Sequence, residues 1–109
     1  MKNANRCMKD AIKEIIEEIP QGRIFDSHYV INKLISDHSD VYLLFASELI
    51  NSQETPIERD VTAYVNSQIS LKIGDSDLAT RVELDGEKAE FWSDNIRGNA
   101  NKCAGWKRK

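Results

Sequence analysis

The chain has 109 residues, with 15 Lys and Arg against 18 Asp and Glu and a net charge of −3, as expected for one folded domain. No apolar run reaches the ~20 residues of a membrane-spanning helix, and the charged start lacks the apolar stretch of a secretion signal. We therefore expect a cytoplasmic domain that does not engage a membrane.

The first part of the chain predicts two helices separated by a short extended step. Residues 7–19 carry apolar side chains at helical spacing, and the following Pro20 and Gly22 end that helix. Residues 23–25 form a short, apolar, strand-like step, and Asp26 or Ser27 is suited to cap a second helix over 27–37. The predicted inward side chains are Met8, Ile12, Ile15, Ile16, Ile19, Val30, Ile31, Leu34 and Ile35.

A third helix is predicted over about 40–51, capped by Ser39 or Asp40. It is apolar over most of its circumference, which is more than one packed stripe requires. It is therefore either the central core helix or a helix shared with a partner protein. The candidate interface residues are Tyr42, Leu43, Leu44 and Ile50.

A fourth helix is predicted over 55–70, because Thr55-Pro56-Ile57-Glu58 has the pattern of a capping box with proline in the first turn. Its predicted inward residues are Ile57, Val61, Tyr64, Val65 and Ile69. Residues 74–77 are predicted to form a turn.

A β-hairpin is predicted over 80–92, because two alternating segments flank Asp85-Gly86, a pair that favours a tight turn with positive φ. The candidates for its packed face are Val82, Leu84, Ala89 and Phe91. The hairpin completes a predicted domain over residues 1–95.

The last fourteen residues differ in charge from the rest of the chain. Residues 1–95 carry a net charge of −8, whereas residues 96–109 contain five cations and no acid. Because this segment is polar and lacks periodicity, we predict a basic, loosely ordered tail over 96–109, with Trp106 as a possible anchor.

These elements predict an α+β fold, mainly α, with four helices followed by a C-terminal β-hairpin. The order over roughly residues 8–92 resembles the winged-helix group of helix-turn-helix domains, with residues 22–26 as the first strand, 55–70 as the helix before the wing and 80–92 as the wing. The helix at 40–51 departs from the simplest three-helix pattern and leaves open which helix has the recognition role.

The resemblance implies DNA binding by a helix in the major groove, supported by the hairpin. Because the body is acidic, we expect any DNA affinity to depend on the basic tail or on dimerisation. The predicted function is a DNA-binding regulator or an accessory factor in DNA metabolism; the alternative is a protein-binding adaptor with the same fold, acting as a homodimer or in a complex. The candidate DNA-binding residues are Arg59, Thr62, Asn66, Ser70, Arg81, Lys88, Arg97, Lys102, Lys107, Arg108 and Lys109.

Catalytic and metal-binding patterns are not found in the sequence. Cys7 and Cys103 are predicted to be free thiols, and they do not combine with His28 and His38 at the spacing of a structural zinc site. Residues 26–28 contain the residue types of a catalytic triad, but adjacent residues do not converge on one point. We predict no enzymatic activity, no cofactor, no metal and no small-molecule substrate.

Overall fold

The computed structural model describes residues 2–52 and 60–109 and shows four helices and an antiparallel sheet formed by the C-terminal part of the chain. This arrangement confirms the predicted α+β class. No helix within the described ranges is long and apolar enough to cross a membrane. The helices are α1 (Lys2–Glu17), α2 (Ser27–Asp37), α3 (Ser39–Asn51) and α4 (Val61–Asp75). The strands are β1 (Ile24–Asp26), β2 (Ala79–Arg81), β3 (Glu83–Leu84), β4 (Glu87–Lys88), β5 (Glu90–Asp94) and β6 (Ala100–Arg108).

The first two helices follow the predicted pattern. The apolar stripe of α1 is buried against the other helices, although the helix begins five residues earlier than predicted. β1 occupies the predicted extended step, and the carboxylate of Asp26 caps α2 by accepting from the backbone N–H of Tyr29 over 2.9 Å. This bond satisfies a donor that the first turn of a helix leaves unpaired.

α3 spans the predicted range, but its cap was predicted wrongly. His38 occupies the cap position without a side-chain hydrogen bond, so Ser39 and Asp40 both lie inside the helix. Phe45 and Leu49 point into the core.

The C-terminal end of α4 was predicted at residue 70, which is wrong. The predicted capping box at 55–58 and the inward residue Ile57 lie outside the described residues; within them, Asp60 caps the helix by accepting from the N–H of Ala63 over 3.2 Å. The helix continues to Asp75, because Ile73 extends the buried stripe formed by Val65 and Ile69. The predicted turn at 74–77 is therefore partly helical, and Val61, predicted to face inward, is exposed.

The sheet is organised around β6, which pairs with β1, β2 and β5. Gly105 donates its N–H to the carbonyl of Ala89 over 3.1 Å and accepts the N–H of Val82 over 3.0 Å. Since both groups of one residue point to the same edge of a strand, β2 and β5 follow one another along one edge of β6. β1 pairs along the other edge, with Phe25 opposite Trp106.

The prediction of a loosely ordered tail is therefore wrong for residues 100–108. This segment has little β-propensity and no clear alternation, but β5 and β2 pair along one of its edges and β1 pairs with residues 105–107 along the other, which sequence periodicity does not reveal. Trp106, suggested as an anchor, is buried in the core.

The predicted hairpin over 80–92 is confirmed only around its Asp-Gly turn, at residues 82–89, because residues 79–81 and 90–94 pair with β6 and not with each other. Asp85 and Gly86 have φ values of 54° and 82°, and β3 pairs with β4 on either side of them. The hairpin departs from the sheet edge between β2 and β5, so its tip gains no packing partner. The predicted packed face is consequently only partly correct: Ala89 is buried and Val82 and Phe91 are half-buried, whereas Leu84 is 62% exposed.

Candidate interaction sites

A groove of about 440 Å³ runs between α4 and β6. One wall is formed by residues 62–71 of α4 and the other by residues 101–104 of β6. The start of α2 lies beneath it, and the turn at 95–97 closes one end. Five predicted DNA-binding residues lie along this groove: Thr62, Asn66, Ser70, Arg97 and Lys102.

The floor of the groove is held by a hydrogen-bond network around Ser27, which is 1% exposed. The Ser27 and Ser70 hydroxyls lie 2.6 Å apart, and the Trp106 indole N–H donates to the Ser27 hydroxyl over 2.9 Å. Asn66 is also engaged, because its side-chain oxygen accepts the Tyr42 hydroxyl over 2.9 Å. Of the candidate DNA-binding residues Thr62, Asn66 and Ser70 on α4, Asn66 and Ser70 therefore already have protein partners.

Next to this floor, the side chains of His28, Ser93 and Cys103 contact one another in series. Nδ1 of His28 lies 2.7 Å from the Ser93 hydroxyl, which lies 3.8 Å from the Cys103 sulfur. Burial raises the pKa of the Cys103 thiol and outweighs the lowering effect of hydrogen bonds from the backbone of His28 and the side chain of Ser93. Because a raised pKa keeps the thiol protonated near neutral pH, the arrangement does not activate a nucleophile.

At the closed end of the groove, an ion pair joins the cap residue of α4 to the turn at 95–97. Arg97 contacts Asp60 through two N–H groups, at 2.7 and 3.1 Å. The hydrogen bonds from Arg97, followed by the backbone N–H of Ala63, hold the pKa of the Asp60 carboxyl below its usual value. Arg97 is thus neutralised locally, which weakens it as a phosphate-binding cation.

The remaining candidate cations are distributed over separate parts of the surface. Arg81 lies 5.4 Å from the Trp106 ring and donates to the Ala89 carbonyl over 3.0 Å, and Arg108 donates through Nε to the Ile16 carbonyl over 3.1 Å. Both therefore support the fold. Lys88 lies on β4 in the projecting hairpin, and Arg59 lies outside the described residues.

One group of exposed cations lies at an end of the central sheet. Lys107 stands between Ile24 and Thr80 in the strand register, and Arg23 and Lys109 flank the same end through backbone hydrogen bonds to Arg108 and Leu78. None of Arg23, Lys107 and Lys109 forms an ion pair with another residue in the described ranges.

The outward side of α3 is a second candidate site. Leu43, Leu44 and Ile50 are 65%, 45% and 39% exposed, whereas Phe45 and Leu49 fill the core side of the same helix. Tyr42 is half-buried, bonded to Asn66, and burial raises the pKa of its hydroxyl. Three of the four predicted interface residues thus form an apolar outer face, and Tyr42 instead links α3 to α4.

Sequence patterns missed the site residues supplied by β5 and β6. Asn101 and Cys103 of β6 are brought to the groove, and Ser93 of β5 to His28 of α2, only when β6 pairs in the sheet, and no local signal predicts that pairing. No cluster of three or more potential metal ligands occurs in the part of the chain that the structure describes. Comparisons with protein-family models, curated proteins and solved structures found no match to this chain.

Proposed function

We propose that this domain is a protein-interaction module that docks a partner protein on the outer face of α3. The observation that supports this most directly is the exposure of Leu43, Leu44 and Ile50 on one helix whose core side is already filled by Phe45 and Leu49. Fully burying a leucine or isoleucine side chain contributes roughly 1.5–3 kcal/mol. A partner that covers all three side chains therefore gains enough free energy to offset part of the cost of association.

The charge around this face indicates the kind of partner. Asp40 lies in the first turn of α3 and Glu48 in its last part, and α3 has no basic residue. An amphipathic helix with an apolar stripe and basic flanks fits both features, since opposite charges at the rim set orientation and association rate. A second copy of the same α3 face would match the apolar area, but it would bring the acidic residues of the two copies close together, where they repel each other.

The decisive experiment compares Leu43→Gln/Ile50→Gln with Leu84→Gln. Leu84 is 62% exposed on the projecting hairpin and so controls for the loss of an exposed leucine elsewhere. A photo-crosslinking residue at position 43 should capture a defined partner from native lysate, whereas the same residue at position 84 should not. The double variant should lose that partner while Leu84→Gln keeps it.

Light scattering distinguishes the two possible occupants. A concentration-dependent dimer that the α3 variant abolishes identifies a second copy of the chain. A monomer that yields the same crosslinked partners at positions 43 and 84 contradicts the proposal.

DNA binding by a winged-helix-like arrangement is the second candidate function. It is favoured by the exposed cations Arg23, Lys107 and Lys109, which lie at the same end of the sheet. Their substitution by glutamine should lower the slope of log affinity against log salt by about 2–3, since each phosphate contact contributes ~0.9. Lys13→Gln on α1 is the matched control.

Point substitutions test the DNA proposal more cleanly than removal of residues 96–109. That segment contains β6, and its deletion removes the strand to which β1, β2 and β5 pair. A truncated chain would lose DNA affinity through unfolding, whatever the role of its cations. Fluorescence anisotropy on duplex DNA at low salt measures the point variants, and an unchanged salt slope contradicts this candidate.

A further inference from the structure

One edge of β6 is open where the strand faces the groove. The N–H of Gly105 donates to the carbonyl of Ala89, and the carbonyl of Asn99 accepts the N–H of Asn95. The odd-numbered residues of this part of the chain therefore direct their backbone groups toward β5. Successive residues direct these groups to opposite edges. The N–H and C=O groups of Ala100 and Lys102 therefore point away from β5.

β1 covers the other edge of β6 only over residues 105–107. Beyond that point the chain turns into α2, and within the described ranges no strand pairs with Ala100 or Lys102 on this side. A short row of backbone donors and acceptors thus remains available to an added strand.

The groove lies along this edge and not on a face of the sheet. Four consecutive residues, 101–104, line it, although successive side chains of a strand point to opposite faces. Only a groove that follows the strand edge contacts all four. No described residue of β5 lines it, and α4 forms its far wall.

We propose that this edge binds an extended peptide segment of a partner protein, which adds to β6 as a strand and lies between β6 and α4. Backbone hydrogen bonds to Ala100 and Lys102 would supply the part of the affinity that does not depend on the peptide sequence. Peptide side chains that face α4 would supply specificity. The volume of about 440 Å³ lies in the range typical of ligand sites, ~300–1,000 Å³. This site is separate from the α3 face and does not depend on the proposed function.

The lining combines apolar residues, among them Ile31, Leu71 and Ile96, with polar ones, and its exposed cation Lys102 indicates a segment that carries an acidic residue. Lys102 is exposed beside the groove, 5.7 Å from the Trp92 ring, while Arg97 is already paired with Asp60. The wall opposite carries Thr62, Asn66 and Ser67. A segment with a carboxylate next to Lys102 and small hydroxyl or amide side chains toward α4 matches these groups in charge and hydrogen bonding.

The first measurement is amide hydrogen exchange of the free domain by NMR. The N–H of Lys102 should exchange fast, as an edge donor open to water does, whereas those of Asn101 and Cys103, which point toward β5, should be protected. A protected Lys102 N–H would show that the edge is already covered and would overturn the proposal.

The binding test uses an array of N-acetylated, C-amidated heptapeptides in which valine and threonine alternate and one glutamate is moved through every position. The tightest binder should shift the amide resonances of Ala100 and Lys102. Lys102→Pro and Ala100→Pro should each weaken it by more than ~20-fold, because proline removes the edge donor and blocks the strand sterically.

Two further variants separate backbone addition from other effects. Lys102→Gln keeps the N–H and should weaken binding only ~3–10-fold, through the lost charge. Leu84→Gln on the projecting hairpin should leave it unchanged. Each proline variant must keep the wild-type circular dichroism spectrum, which is expected because the donors that it loses do not bond within the sheet.

Two outcomes overturn the proposal. One is that no peptide of the array shifts the Ala100 and Lys102 resonances. The other is that Lys102→Gln promotes self-association without any peptide binding, which would show that Lys102 serves only to protect a free edge from pairing.

Discussion

The indole N–H of Trp106 donates to the hydroxyl of Ser27 over 2.9 Å, across 79 residues of sequence. This bond fastens the last strand to the beginning of α2, and the same serine contacts the Ser70 hydroxyl of α4 at 2.6 Å. One buried hydroxyl therefore joins α2, α4 and β6, the three elements that surround the groove.

We expect Trp106→Phe to lower the free energy of unfolding by about 2–3 kcal/mol, since it removes this hydrogen bond and leaves unfilled volume in the core. Trp92→Phe is the control, because Trp92 is 67% exposed, and it should change stability by less than about 0.5 kcal/mol. Urea titrations followed by far-ultraviolet circular dichroism measure both. Equal effects of the two substitutions would contradict the anchoring role of Trp106.

Gly105→Ala should also destabilise the domain. An added Cβ at this position would approach Phe91 ring carbons to 2.7 and 2.8 Å, closer than side chains pack, at a cost of about 1–3 kcal/mol. The double variant with Phe91→Leu should recover part of that loss, because the smaller side chain leaves room for the methyl group. A double-mutant cycle by urea unfolding tests this, and purely additive effects would refute the contact.

The Asp60–Arg97 pair predicts a dependence of stability on pH. Because Arg97 lowers the folded-state pKa of Asp60, this group adds stability above its unfolded pKa and loses it as the pH falls through the folded pKa. NMR titration of the Asp60 carboxyl should give a midpoint below the usual aspartate value, and Arg97→Gln should move that midpoint upward. An unchanged midpoint in the variant would exclude the ion pair in solution.

The two cysteines should react at different rates with a thiol reagent such as DTNB. Cys7 is exposed on α1, whereas Cys103 is half-buried beside Ser93 and burial raises the pKa of its thiol. We expect one fast and one slow phase near neutral pH, because only the thiolate reacts. Cys7→Ser should remove the fast phase and Cys103→Ser the slow one; the reverse assignment would contradict the environment described for Cys103.

Much of the helical part of the fold was predictable from local patterns. The apolar stripe of α1, the Asp26 cap of α2 and the range of α3 follow from spacing and capping chemistry, which act within a few residues. The excess of apolar side chains on α3 left open whether the helix is central in the core or shared with a partner; in the structure Leu43 and Leu44 remain exposed, because they exceed what one buried stripe accommodates.

The candidate site was less predictable. Thr62, Asn66 and Ser70 were candidate DNA-binding residues on the fourth helix, but sequence spacing does not show what stands opposite a helix face. The structure sets β6 there, so these side chains line a groove and two of them contact Tyr42 or Ser27.

The sequence by itself determined the first three helices and the Asp85-Gly86 turn, because capping, apolar periodicity and positive φ are properties of neighbouring residues. Only the tertiary structure decided the conformation of residues 100–108. This polar segment becomes the central strand because β1, β2 and β5 satisfy its backbone and the core encloses Trp106, and those partners lie far away in the chain. The same pairing leaves the edge at Lys102 open.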